Sequence, residues 1–176
     1  MKNAILCAIC IFSIGLAHTS WAEAAGTAHA RGAKENAEGG VTAGKAGAVK
    51  GPQGSSAAHG AVVSGDGQGN VTGARGTAVH SKNGGSAAHA GGFKRSSDGS
   101  VTRQGGTAAK GANGGRVTTQ STTTKDANGK ISGGRSTNAT GANGSTYQGQ
   151  TSYEQGQGVN HSGTCKNAAG ETVDCH

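Results

Sequence analysis

Beyond residue 24 the chain has no leucine, no tryptophan and no methionine. The large apolar residues left there are Val41, Val49, Val62, Val63, Val71, Val79, Val101, Val117, Ile131, Val159 and Val173, with Phe93, Tyr147 and Tyr153. Burial of such side chains is what offsets the conformational entropy lost on folding. A list this short, in a chain of 176 residues, argues against a monomer with its own globular core. It leaves disorder as a monomer, a repeat stack, or order gained by association. Carboxylates are also scarce and scattered. Without a surrounding core no catalytic constellation can be held rigid, so the reading is non-enzymatic, with no cofactor. Glycine-rich pieces such as Gly65-Asp66-Gly67-Gln68-Gly69 lack the hydrophobic strand and helix of a phosphate loop.

What is abundant is glycine, 35 residues of it, and it is placed with a rhythm. Gly39, Gly54, Gly69, Gly84, Gly99, Gly114, Gly129 and Gly144 recur every 15 residues. Asn83, Asp98, Asn113, Asn128 and Asn143 precede five of them, and Glu38, Gln53 and Gln68 the other three. Asn-Gly and Asp-Gly are turn signals, because both residues tolerate positive φ. A second period of 30 lies above the first. Val41-Thr42 returns as Val71-Thr72, Val101-Thr102 and Ile131-Ser132, and Ala28-His29 returns as Ala58-His59 and Ala88-His89. The unit is therefore 30 residues long, with two unlike halves.

Glycine interrupts every helical window, while Thr and Val occupy the segments between turns, so the fold class is all-β. The clearest strand is Arg116 to Lys125, closed by Asp126-Ala127-Asn128-Gly129. Two-residue turns favour an antiparallel meander; a β-solenoid of two-strand rungs is the second choice. Two-residue turns would leave up to about 13 residues per strand, with Gly73, Gly105, Gly133 and Gly134 bending or interrupting it. Alternation along Gly85–Ser97 puts Ala87, His89, Gly91, Phe93 and Arg95 on one face against Ser86, Ala88, Ala90, Gly92 and Lys94 on the other. Neither set is apolar, which predicts two polar faces and long exposed edges open to another chain.

Three regions follow. Residues 1–24 read as a secretory signal: Lys2, an apolar run from Ala4 to Leu16, and the small residues Ala22 and Ala24 around Glu23. Cleavage is expected after Ala24, with Ala22 as the runner-up, and no later stretch is apolar enough to span a bilayer as a helix. Residues 25–157 are the strand-turn region. Residues 158–176 are a tail in which Cys165 and Cys175, the cysteines left after cleavage, close a hairpin by a disulfide around Asn167 to Gly170. His161 and His176 lie near these cysteines, but without the close spacing of a zinc knuckle.

Two sets of side chains are candidate binding residues. His29, His59 and His89 share one position of the 30-residue unit. They would form a metal-binding ladder in a solenoid and stand too far apart for one ion in a meander. Lys50, His80, Arg95, Lys110 and Lys125 share one slot of the 15-residue beat and would form a row that tracks a polyanion. The formal net charge is +7, and aromatics for base stacking are nearly absent.

The leading expectation is a secreted structural or adhesive protein of the cell envelope or extracellular matrix, self-associating through strand edges. The alternative is a basic, largely disordered chain that binds polyanions, such as polysaccharide or nucleic acid, an envelope surface, or metal ions. The address is export: the periplasm, cell surface or extracellular space of a bacterium. In its signal, its strand-turn units and its Gly, Ser, Asn and Gln content the chain broadly resembles bacterial matrix proteins of the curli type. The regularly spaced Gln and Asn ladder of curlin repeats is missing, and the resemblance assigns no family.

Overall fold

The computed structural model describes residues 25–175. The expected signal segment and His176 lie outside the described residues. The described chain forms one open sheet of 11 strands, each hydrogen-bonded to the next in sequence. The strands are β1 (Gly26–Glu35), β2 (Val41–Lys50), β3 (Ser56–Gly65), β4 (Val71–His80), β5 (Ser86–Arg95), β6 (Val101–Lys110), β7 (Arg116–Lys125), β8 (Ile131–Thr140), β9 (Thr146–Glu154), β10 (Gly158–Lys166) and β11 (Thr172–Val173). Every pairing is antiparallel. The fold is thus the meander, without solenoid rungs. β10 and β11 extend the same sheet, and Cys165 and Cys175 are joined as expected, with Cα atoms 5.4 Å apart.

The turns differ from the two-residue loops that Asn-Gly suggests. In the first loop the Asn36 N–H donates to the Gly40 carbonyl, and the Gly39 N–H donates to the Asn36 carbonyl. Gly39 is left-handed, at φ 78°, and no residue other than glycine has positive φ among the described residues. This is a type I turn whose fourth residue is a left-handed glycine making a bulge. The same pair of bonds recurs at residues 51–55, 81–85, 96–100, 111–115, 126–130, 141–145 and 167–171. The residue before each glycine therefore stays at negative φ. All eight rhythmic glycines take the left-handed form, joined by Gly67, Gly156, Gly158 and Gly170. Each full loop uses five residues, so β1 to β8 are 10 residues long rather than about 13.

Equal strands and equal loops lock the register. Residues 30 apart flank one residue of the strand between them, as Ala109 and Ala139 flank Val117. The turn after β9 is shorter, and beyond it the shift becomes 26: Ala139 and Cys165 flank Tyr147. Paired residues share a face, and because both shifts are even the odd-numbered residues hold one face along the whole sheet.

The two faces that result are unequal. One face, here the ring face, carries the column Thr27, Val49, Ala57, Val79, Ala87, Ala109, Val117, Ala139, Tyr147, Cys165 and Val173. It holds every large apolar residue named above except Val62. The opposite alanine face carries the column Ala28, Ala48, Ala58, Ala78, Ala88 and Ala108. Among the described residues neither face is covered and no hydrophobic side chain is buried; Val41 and Val159 are 55% and 70% exposed. Gly40 and Gly47 are the only buried residues described.

Rings supply what packing there is. Of the interior glycines expected to interrupt the strands, Gly73 and Gly133 instead leave room for them. Phe93 lies against the place a side chain would fill at Gly73, its directly paired partner. Tyr153 does the same over Gly133, where an added Cβ would sit 2.6 Å from its ring, and Tyr147 covers Gly149 and Gly163. A ring laid over a cross-strand glycine shields backbone that would otherwise face water.

Gly99 has φ 86° and open space around its missing Cβ, so its cost of substitution is purely conformational. Gly99→Ala should lower stability by about 1–2 kcal/mol in urea denaturation of the processed protein, with the strand signal in circular dichroism unchanged before unfolding begins.

Candidate functional site

A 30-residue unit of two strands and two loops sends alternate loops to opposite ends of the sheet. One rim collects the loops containing Glu38, Asp66, Asp98 and Asp126. The other collects loops without acid up to Glu171, beside the strand ends Lys50, His80, Lys110, Arg116 and Lys166. Within the described strands the only carboxylates are Glu35 and Glu154. Cations therefore dominate both faces, and acids cluster in the turns of one rim.

This alternation corrects the cation row. Lys50, His80 and Lys110 end even-numbered strands, whereas Arg95 and Lys125 end odd-numbered ones. The two groups stand at opposite ends of the sheet, about 30 Å apart at roughly 3.4 Å per residue, and on opposite faces. One slot of a 15-residue beat makes a single row only when successive strands are parallel.

A denser cationic cluster lies on the ring face. Arg31, Lys45, Arg75 and Arg103 line a concavity of about 810 Å³, with Phe93 beside them and Gly73, Gly91 and Gly105 along its floor. Arg31 and Lys45 are directly paired across strands, an arrangement that like charges disfavour. The one ion pair among the described residues is Lys130 with Glu154, so none of the four cations is neutralised by a carboxylate. The clue in the sequence is the 30-residue spacing of Lys45 and Arg75, which the 15-residue slot does not capture.

The histidines are also rearranged. His29, Gly47, His59, Thr77, His89 and Thr107 form one ring-face column. His89 Nδ1 is 3.0 Å from Thr107 Oγ1, and the Thr77 side chain stands between His89 and His59. His29 and His59 flank a glycine instead. An added Cβ at Gly47 would lie 2.9 Å from His29 Nδ1 and 3.0 Å from His59 Nε2. The meander thus brings two of the three rings together, contrary to the expectation that it holds all of them apart. His161 Nδ1 lies 2.8 Å from Thr151 Oγ1, in a separate region of the sheet.

The acidic rim is built by side chains at the first loop position. Asn36 Oδ1 accepts from the Glu38 and Gly40 N–H groups, and Asp66 Oδ1 accepts from those of Gln68 and Asn70. Asp126 Oδ1 accepts from the Lys130 N–H alone, and on the other rim Asn167 Oδ1 accepts from the Ala169 and Glu171 N–H groups. Contacts also run between loops two turns apart. Asn36 Nδ2 donates to the Gly65 carbonyl at 2.8 Å, the Ser97 N–H donates to Asn70 Oδ1, and on the other rim the Lys82 N–H donates to Ser55 Oγ. The sequence signal for the clamp is Asn36, Asp66 and Asp126, spaced by multiples of 30. It was masked by the more regular residue before each glycine.

These bonds shift charge equilibria. The Asn70 side chain, then the Gln68 N–H, hold the Asp66 carboxyl below its usual value of 3.8. The Ser100 side chain, then its N–H, do the same for Asp98. The Glu154 carboxylate holds Lys130 above its usual value.

Comparison with protein families, characterised proteins and solved structures finds no match for this chain. Among the described residues no helix is long and apolar enough to cross a membrane.

Because the folded carboxyl of Asp66 binds protons less readily than the unfolded one, its clamp contributes fully above the usual carboxylate range. That contribution is lost as pH falls through the lowered folded value. Amide exchange at Gln68 and Asn70 should therefore accelerate, beyond its intrinsic pH dependence, on acidification through that range. Asp66→Asn should remove this acid sensitivity, since Asn36 performs the same clamp without a titrating group.

Proposed function

We propose that the chain is an exported, non-enzymatic structural protein whose sheets assemble by adding strands at their free edges. The observation that carries this reading is a single layer without a core that ends in two open edges. β1 is exposed along its full length. β11 covers β10 only at Cys165 and Lys166, leaving the outer edge from Gly158 to Thr164 uncovered. Such edges present rows of unpaired backbone donors and acceptors. The β1 edge of one copy meeting the β10 edge of another is a head-to-tail contact, which propagates into a filament instead of closing. Arg31 and Lys34 on β1 moderate this tendency, as edge charges do. The disulfide-closed hairpin is a clasp at one corner of the far edge.

The bond from the Asn36 N–H to the Gly40 carbonyl fixes which β1 groups face outward. Hydrogen-bonded pairs alternate along an antiparallel ladder, so the Ala33 N–H points away from β2. Ala33→Pro removes an outward donor and keeps the internal ladder. The processed wild-type protein should form concentration-dependent filaments in electron microscopy, and this variant should not, at equal strand content. A wild-type protein that stays monomeric at high concentration in sedimentation would end the reading.

The cationic concavity favours a second reading, attachment of an anionic polymer of the envelope. Arg75→Ala with Arg103→Ala should weaken retention on a sulfated polysaccharide and flatten its salt dependence by about two ions. Lys50→Ala with Lys110→Ala, on the other face, should leave it largely unchanged. Absence of binding by the wild type even at low salt would remove this reading.

A further inference from the structure

We infer that His29 and His59 form a two-histidine site for a divalent transition-metal ion, assembled over Gly47. The register supplies the first part of the argument. The two histidines belong to β1 and β3, so their backbones are two strand spacings apart, roughly 10 Å. Side chains at that distance ordinarily miss one another, because the residue between them projects from the same face. Here that residue is glycine. Both rings lean into the vacant space. His29 Nδ1 and His59 Nε2 lie 2.9 Å and 3.0 Å from the single point where a Cβ of Gly47 would stand. The two nitrogens are therefore at most about 6 Å apart, by the triangle of those distances.

Imidazole nitrogens suit Zn, Cu and Ni, and bind zinc at about 2.0–2.1 Å. Two nitrogens sharing one ion are then about 3–4 Å apart, within reach of small ring rotations. No third protein ligand is at hand, since no group of three His, Cys, Asp or Glu is gathered among the described residues. The remaining positions go to water or an anion. Arg31 and Lys45 occupy the next ring-face column. Their charge repels a divalent cation and attracts an anionic co-ligand. Raising the ionic strength with a non-coordinating salt therefore strengthens metal binding, by screening that repulsion.

Among the described histidines only this pair meets the conditions. His59 and His89 are separated by the Thr77 side chain, and His89 is engaged by Thr107. His80 sits at a strand end on the alanine face, and His161 is paired with Thr151.

The test uses untagged processed protein with Cu²⁺ or Zn²⁺ as the probe. Calorimetry should show one ion per chain, and electron paramagnetic resonance of the copper form should show coupling to two imidazole nitrogens. His29→Ala and His59→Ala should each lower affinity about tenfold or more, on the scale of losses at metal sites, while His89→Ala leaves it unchanged. Gly47→Val should also weaken binding, although both ligands remain, with strand content checked by circular dichroism. Unchanged affinity in His59→Ala, or an equal loss in His89→Ala, would overturn the assignment whatever the glycine variant does.

Discussion

The ladder of backbone hydrogen bonds between neighbouring strands carries this structure, because almost nothing else does. Among the described residues no hydrophobic side chain is buried, and no described element packs across either face. Each strand is held by the strand on either side and by the loops that join them. Stability in such an array is local and additive, a sum over neighbouring pairs, as in other repeat architectures. The requirement placed on sequence is correspondingly narrow. Strand and loop lengths must be kept, since a slip of one residue would turn every side chain beyond it to the opposite face. The glycine rhythm is the visible mark of that requirement. Where the rhythm ends, the register shift changes from 30 to 26 and stays even, so Tyr147, Cys165 and Val173 remain in the valine column.

Glycine has two separate duties in this sheet. In the loops it supplies the one left-handed residue that each bulged turn needs. Within the strands it makes room on the ring face, so that Phe93, Tyr153, Tyr147, His29 and His59 can lie across a neighbouring backbone. The second duty gives a coreless sheet a thin layer of side-chain packing. It also brings together groups that regular strand spacing would hold apart. The histidine pair and the floor of the cationic concavity both depend on it.

With both faces exposed, burial does not separate functional from structural residues here. Charge placement is more informative. Acids are largely confined to turns, those of one rim above all, where their oxygens clamp backbone N–H groups; cations occupy the faces. A layer built in this way repels close face-to-face stacking of its own copies and leaves its edges as the routes of association. It also offers the cation-rich ring face to anionic polymers. These two behaviours are compatible in the exported structural protein proposed above.

The sequence by itself determined the strand-turn repeat, the turn glycines, the limits of β7 and the disulfide. Each rests on local chemistry: which residues accept positive φ, which favour extended backbone, and how near two cysteines stand along the chain. It did not reveal that loops take five residues, because the clamp made by Asn36 or Asp66 lies three residues before the glycine that draws the eye. Tertiary structure alone decided which residues share a face and an end. Antiparallel pairing reverses direction at every turn, so a 15-residue beat scatters Lys50 and Arg95 to opposite rims, whereas the 30-residue unit gathers Lys45 with Arg75 and His29 with His59. Neighbourhood in a sheet is set by the sum of paired residue numbers, and spacing along the chain does not contain that sum until strand and loop lengths are known.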